Sequence, residues 1–73
     1  MSKLPPISGK TCVKALQKIG FYLKRRESSH IILRRDDPFT QIVVPDHPTL
    51  AKGTLRSILR DINLSVDEFI DLL

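Results

Sequence analysis

The sequence predicts a small α+β domain in which helices pack on one face of a three-stranded antiparallel sheet. Apolar residues recur at helical spacing near both ends of the chain, and three runs rich in β-branched and aromatic residues lie between them. The connections between these runs are too short for a crossover helix, so neighbouring strands are expected to pair antiparallel. The expected order is helix, three strands, helix and a short final helix.

The first helix is expected over residues 9–19. Ser8 is a candidate N-cap for it. The apolar side chains that follow fall on one helical stripe, and they are Cys12, Val13, Leu16 and Ile19. Gly20 supplies the stop, because glycine adopts the left-handed backbone conformation that closes a helix without a Cβ clash.

The three strands are expected at residues 21–26, 30–35 and 40–45. Phe21 and Leu23 alternate with polar residues, which predicts a half-buried first strand with these two side chains on one face. Residues 27–29 form a polar break, and a gap of this length favours a hairpin. The turn-forming residues 36–38 separate the second strand from the third.

The C-terminal part predicts two helices. The first of them is expected from Gly53 or Thr54 to Asn63, because apolar residues recur at i, i+3, i+4 and i+7. Ser65 and Glu68 have the spacing of a capping box, so a short final helix is expected after them.

Composition limits the class of protein. The length of 73 residues allows one small domain, expected to span residues 1–73. The single cysteine, Cys12, excludes an internal disulfide and suits a reducing cytoplasm. No apolar run is long enough for a signal peptide or a membrane span, so we expect a cytoplasmic protein with no membrane partner. We expect no metal and no cofactor, because adjacent acids such as Asp36 and Asp37 before a proline are more typical of a turn than of a magnesium site.

Charge is distributed unevenly along the chain. All 12 Lys and Arg residues lie in residues 1–60 together with four acids, which gives this part a net charge of +8. Residues 61–73 carry four acids and no base, a net charge of −4. A basic body favours a polyanion such as nucleic acid, since Lys and Arg neutralise phosphate. The same side chains can equally serve only to keep a small protein soluble.

His30 is the leading candidate for proton transfer. A histidine at a strand end is by itself more often a surface residue, but an imidazole can donate or accept a proton at neutral pH. The hydroxyls of Ser28 and Ser29 precede it. The guanidinium groups expected at the same end of the hairpin, where they would hold a phosphate, are those of Arg25, Arg26, Arg34 and Arg35. His47, which precedes a proline, is more typical of a turn, and a role as second proton-transfer group is left open.

Several short motifs, in their order along the chain, resemble the HicA family of toxin ribonucleases. They are Ser8-Gly9-Lys10, Gly20-Phe21, Ser29-His30, Val44-Pro45-Asp46-His47, Lys52-Gly53-Thr54-Leu55-Arg56-Ser57-Ile58-Leu59 and Leu64-Ser65. The resemblance implies the fold of a double-stranded RNA-binding domain and metal-independent cleavage of mRNA by the histidine of a Gly-Ser-His motif. That histidine corresponds to His30 and the motif serine to Ser29, and both are expected to be catalytic.

Two positions depart from the family pattern. Ser28 stands where the motif has glycine, so serine would incur a steric cost if this position needs a positive φ. Ile31 stands where relatives often have a polar residue or a second histidine, and this narrows the set of catalytic groups.

The resemblance also implies two partners, mRNA and a HicB-like antitoxin that covers the catalytic region. The chain is expected to be a monomer when free and part of a hetero-oligomer with the antitoxin. The side chains expected to contact RNA are Lys24, Arg25, Arg26, Arg34, Arg35, Lys52 and Arg56. Two alternatives stay open at this point: a non-catalytic module that binds double-stranded RNA, and a subunit that only binds a protein.

Overall fold

The computed structural model describes residues 3–73 and confirms the α+β class with the predicted order of elements. They are α1 (Gly9–Gln17), β1 (Tyr22–Glu27), β2 (His30–Asp36), β3 (Phe39–Pro45), α2 (Lys52–Asp61) and α3 (Val66–Leu72). The sheet is antiparallel with the strand order β1-β2-β3, so β1 and β3 are both edge strands. The likeness to a double-stranded RNA-binding domain stays a prediction.

The hydrophobic core lies between the sheet and the helices. Its most deeply buried side chains are Cys12 and Leu16 of α1, Leu33 of β2, Val44 of β3, Leu55 of α2 and Phe69 of α3. No polar or charged side chain is buried anywhere in residues 3–73. Successive strand residues point to opposite faces, so the second face of the sheet, here called the open face, carries Ile32 and the half-exposed Val43.

Both long helices end slightly earlier than their apolar stripes predict, because glycine or asparagine closes each one. Past α1, Gly20 has φ +99°, and the amide of Phe21 donates to the carbonyl of Leu16 at 3.3 Å. Past α2, Asn63 has φ +57°, and the amide of Leu64 donates to the carbonyl of Leu59 at 2.9 Å. A left-handed residue at this position satisfies carbonyls that the helix leaves without partners.

The capping box of α3 is confirmed. The Ser65 hydroxyl accepts from the Glu68 amide at 3.0 Å, and the Glu68 carboxylate accepts from the Ser65 amide at 2.9 Å. The hydrogen bond from the Ser65 amide holds the pKa of Glu68 below its ordinary value, because it favours the charged carboxylate. Within residues 3–73, no helix is long and apolar enough to cross a membrane.

The prediction of a half-buried first strand is wrong. Phe21 is buried but precedes β1, and all six residues of β1 are exposed, including Leu23 at 54%. A β-bulge between Leu23 and Arg25 interrupts the alternation of side chains. The helices contact the sheet mainly at β3, so the helix-facing side of β1 is left without a cover.

Candidate active site at the turn end of the sheet

Three segments meet at one end of the sheet, which we call the turn end. They are residues 28–30, which include the β1–β2 turn, residues 45–47 at the end of β3, and residues 8–10 at the start of α1. The amide of Asp46 donates to the carbonyl of Ser29 at 2.7 Å, and the amide of Gly9 donates to the carbonyl of His47 at 2.9 Å. Backbone hydrogen bonds therefore fix the three segments relative to one another.

Gly9 allows α1 to start at this place. A Cβ atom added to Gly9 would overlap the carbonyl oxygen of Pro45, which is backbone and cannot rotate away. The close approach places the first turn of α1 directly on the end of β3. Ser8 caps this helix, since its hydroxyl accepts from the amide of Thr11 at 3.1 Å.

His30 is the first residue of β2 and is exposed. It pairs with Glu27 of β1 on one side and with Pro45 of β3 on the other. The next residue, Ile31, is buried against the helices, so the alternation of strand side chains places His30 on the open face. The imidazole is thus accessible to a large substrate while its backbone is held in the middle strand.

The turn before His30 is tighter than expected. Glu27 belongs to β1, so only Ser28 and Ser29 form the connection. Ser28 has φ +56°, a left-handed conformation that glycine adopts at much lower cost. The position does require a positive φ, and serine nevertheless occupies it with the β1–β2 pairing intact up to Glu27 and His30.

We expect Ser28→Gly to raise the free energy of unfolding by about 0.5–1 kcal/mol, because it relieves the left-handed strain but adds entropy to the unfolded chain. Ser29→Gly is the matched control, since Ser29 has no positive φ and should only lose stability. Urea denaturation of the two variants measures the difference. Equal changes in both would show that the φ of Ser28 stores no strain.

Arg26 and Asp46 form the ion pair of the turn end. Nη2 of Arg26 lies 2.5 Å from Oδ2 of Asp46, and only 15% of the Asp46 side chain is exposed. The hydrogen bond from Arg26 lowers the pKa of Asp46, with smaller contributions from the charges of Arg26, Lys10 and His47. The ion pair therefore stabilises the folded state above the ordinary pKa of an aspartate, and this contribution is lost as the pH falls through the lowered pKa of Asp46.

Arg25 and Glu27 lie beside His30 on the open face. Nε of Arg25 lies 2.7 Å from Oε1 of Glu27, and more than half of each side chain is exposed. Directly opposed residues of an antiparallel pair have Cβ atoms about 4.5–5.5 Å apart, which brings the Glu27 carboxylate within reach of the His30 imidazole. This corner holds a cation, a carboxylate and an imidazole.

Arg34 and Arg35 do not lie near His30, contrary to expectation. Arg34 pairs with Tyr22, so both arginines lie at the opposite end of the hairpin, roughly 13 Å or more along β2 from His30. Arg34 donates to Gln41 and lies over the ring of Phe39 at 5.3 Å. Arg35 lies 4.7 Å from the ring centroid of Phe21. Both guanidinium groups contact neighbours within the domain.

The remaining cations expected to contact RNA are distributed over two elements. Lys24 is an exposed residue at the β1 bulge, four residues before Ser28. Lys52 and Arg56 are exposed on α2, which packs against β3. The structure thus places Arg25 on the same face as His30 and Arg26 at Asp46, and it leaves the other cations farther along the surface.

Cys12 has no part in this site. It is fully buried in α1, and burial raises the pKa of its thiol to about 11. The thiol therefore stays protonated at neutral pH, and a thiol in that state is a weak nucleophile.

Two residues of the site were missed by the sequence interpretation. Glu27 is predicted to lie in the polar break, whereas the observed two-residue connection pairs it with His30. Asp46 enters the prediction only as part of the motif Val44-Pro45-Asp46-His47, and its hydrogen bond with Arg26 spans 20 residues of sequence. No local pattern signals a contact of that separation.

The sequence of the chain also matches a known protein family. Residues 9–64 match the model of the family described as the HicA toxin of bacterial toxin-antitoxin systems. The match runs from the first residue of α1 beyond the end of α2, and it includes every residue of the turn end except Ser8. No curated protein matches the chain.

Proposed function

The chain belongs to the HicA toxin family, and we propose that it is an endoribonuclease that cleaves mRNA. His30 is its general acid or base, with Ser29 beside it, and the reaction needs no metal. The observation that carries this proposal is the setting of His30: an exposed imidazole on the open face, fixed at the start of the middle strand and adjacent to Arg25 and Glu27.

RNA brings its own nucleophile to such a site. The 2′-OH attacks the neighbouring phosphorus, the bond to the 5′-oxygen breaks, and a 2′,3′-cyclic phosphate remains on one product. One proton must leave the 2′-OH and one must reach the departing 5′-oxygen. His30 carries one of these transfers, and the turn end offers Glu27 and His47 for the other.

Cations at the turn end support the binding of the scissile phosphate. Arg25 lies on the same face as His30, and Arg26 is bonded to Asp46 of the turn end. A guanidinium group can donate two parallel hydrogen bonds to phosphate oxygens. Such donors stabilise the charge that develops on phosphorus. Lys24, Lys52 and Arg56 add exposed positive charge for the flanking nucleotides.

Membership in the family implies a cognate antitoxin. We propose that this partner resembles HicB, that it covers the turn end, and that the free toxin is a monomer acting on mRNA in the cytoplasm. A protein that sits on an exposed catalytic histidine blocks access of RNA without altering the fold.

Expression of the chain in bacterial cells without its antitoxin tests the proposal. We expect growth arrest together with a fall in full-length mRNA within one generation, because unguarded mRNA would be cut. Co-expression of the cognate antitoxin should restore both. Normal growth with intact mRNA, at a toxin level verified by immunoblot, would leave a non-catalytic RNA-binding module as the better description.

A further inference from the structure

An open groove of about 290 Å³ lies between α1 and β1, and we call it the α1–β1 groove. Its floor is aliphatic and consists of Val13, Leu23 and Ile31. Cationic side chains form its rim, and they are Lys10, Lys14 and Arg26. The floor of the groove is on the helix-facing side of the sheet, whereas His30 is on the open face. The floor is therefore separate from the imidazole, although Lys10 and Arg26 of the rim also belong to the turn end.

One residue of the groove floor, Leu23, is unusually exposed for an aliphatic residue in so small a domain. Leu23 is 54% exposed although it pairs with the fully buried Leu33. Because β1 is an edge strand with a bulge beside Leu23, its outer backbone groups are not all paired within the sheet. An apolar patch rimmed by charges and next to a free strand edge is typical of a protein interaction surface.

From this surface we infer that the α1–β1 groove is the anchor site of the cognate antitoxin, which fills it with an acidic segment carrying one or two large apolar side chains. The inference rests on the proposed toxin function, since it assigns the antitoxin a place on the chain. Three cations on the rim complement an acidic segment, and the aliphatic floor complements its apolar side chains.

RNA is the less suitable occupant of the groove. Single-stranded nucleic acid is bound by stacking its bases on aromatic side chains, and the lining of the α1–β1 groove has none. A partner that excludes water from Leu23 gains from the apolar contact, whereas phosphate does not.

The groove is connected to the catalytic turn through Arg26. This side chain reaches from the groove rim to Asp46, and the amide of Asp46 donates a hydrogen bond to the carbonyl of Ser29. An antitoxin anchored in the α1–β1 groove therefore lies next to the segment that carries His30. Anchoring and occlusion of the active site become two separable parts of one interface.

Leu23→Asp tests the inference, with Val43→Asp as the matched control. Val43 is 48% exposed on the other edge strand and on the open face, so both variants place the same charge at a similar position in a strand. We expect Leu23→Asp to weaken binding of the purified cognate antitoxin by at least about 30-fold in titration calorimetry. Val43→Asp should change the Kd by less than about threefold.

RNA cleavage without antitoxin separates this inference from the proposed function. The expected result for Leu23→Asp is unchanged cleavage that the antitoxin no longer suppresses. Charge reversal by Lys14→Glu is a second variant that leaves β1 untouched, and it should slow association with the antitoxin and reduce its dependence on salt. Unchanged antitoxin affinity in both groove variants overturns the inference, as does a loss of RNA affinity in place of antitoxin affinity. Absence of cleavage by the unmodified chain would instead count against the proposed function alone.

Discussion

Replacing His30 with alanine is expected to lower the rate of RNA cleavage by roughly 10²–10⁴-fold, the range that a positioned general acid or base contributes. His30 is exposed and its side chain is not part of the core, so the fold should persist. Initial rates with purified protein and a defined RNA measure the loss. Thermal unfolding followed by circular dichroism should give nearly the same midpoint for both proteins.

Lys24→Ala provides the contrast for this variant. Its ammonium group is expected to bind phosphate without transferring a proton, so its removal should weaken RNA binding and reduce the salt slope of the affinity by about one. His30→Ala should leave both quantities nearly unchanged. Equal cleavage rates for His30→Ala and the unmodified chain would remove His30 from the mechanism.

Gly9→Ala is expected to disturb both stability and activity. The added methyl group would overlap the carbonyl of Pro45, so α1 must move away from β3 and strain its hydrogen bond to His47. Overpacking of this kind costs about 1–3 kcal/mol, which lowers the midpoint of thermal unfolding by roughly 4–8 °C per kcal/mol in a domain of this size. Cleavage should fall as well, because the same displacement affects the segment that holds Ser29.

Gly53→Ala is the matched control for this effect. Gly53 also lies in the first turn of a helix, but a Cβ atom there would meet nothing within 4 Å. Alanine is the better helix former by up to about 1 kcal/mol, so Gly53→Ala should raise stability and leave cleavage unchanged. If Gly9→Ala were also stabilising, the close packing of α1 on the turn end would not be a determinant of the fold.

Local patterns were sufficient to predict most of the fold. The apolar stripe of α2, the left-handed closure at Gly20 and the capping box at Ser65 depend on residues within a few positions of each other, and each was found where expected. The predicted helix ends are less accurate, because α2 ends at Asp61 and is closed by Asn63, whereas its apolar stripe continues to Ile62.

Features that depend on strand register were harder to predict. The exposure of Leu23 follows from the bulge beside it and from the position of the helices over β3, neither of which alternation reveals. Register also separates Arg34 from His30, although the two lie only four positions apart. The ion pair of Arg26 with Asp46 joins β1 to the end of β3 and depends on tertiary structure alone.

The chemistry of the cut ends shows directly whether the 2′-OH of the RNA attacks its own phosphate in this reaction. A defined RNA is incubated with the purified chain, and its products are identified by mass spectrometry, beside the same RNA carrying a single 2′-deoxy nucleotide at the cleavage site. Proton transfer by His30 to or from an RNA that attacks its own phosphate predicts a 2′,3′-cyclic phosphate on one product and a 5′-hydroxyl on the other, with no cut at the deoxy position. Products with 5′-phosphate ends, or equal cleavage of the deoxy-substituted RNA, would contradict it.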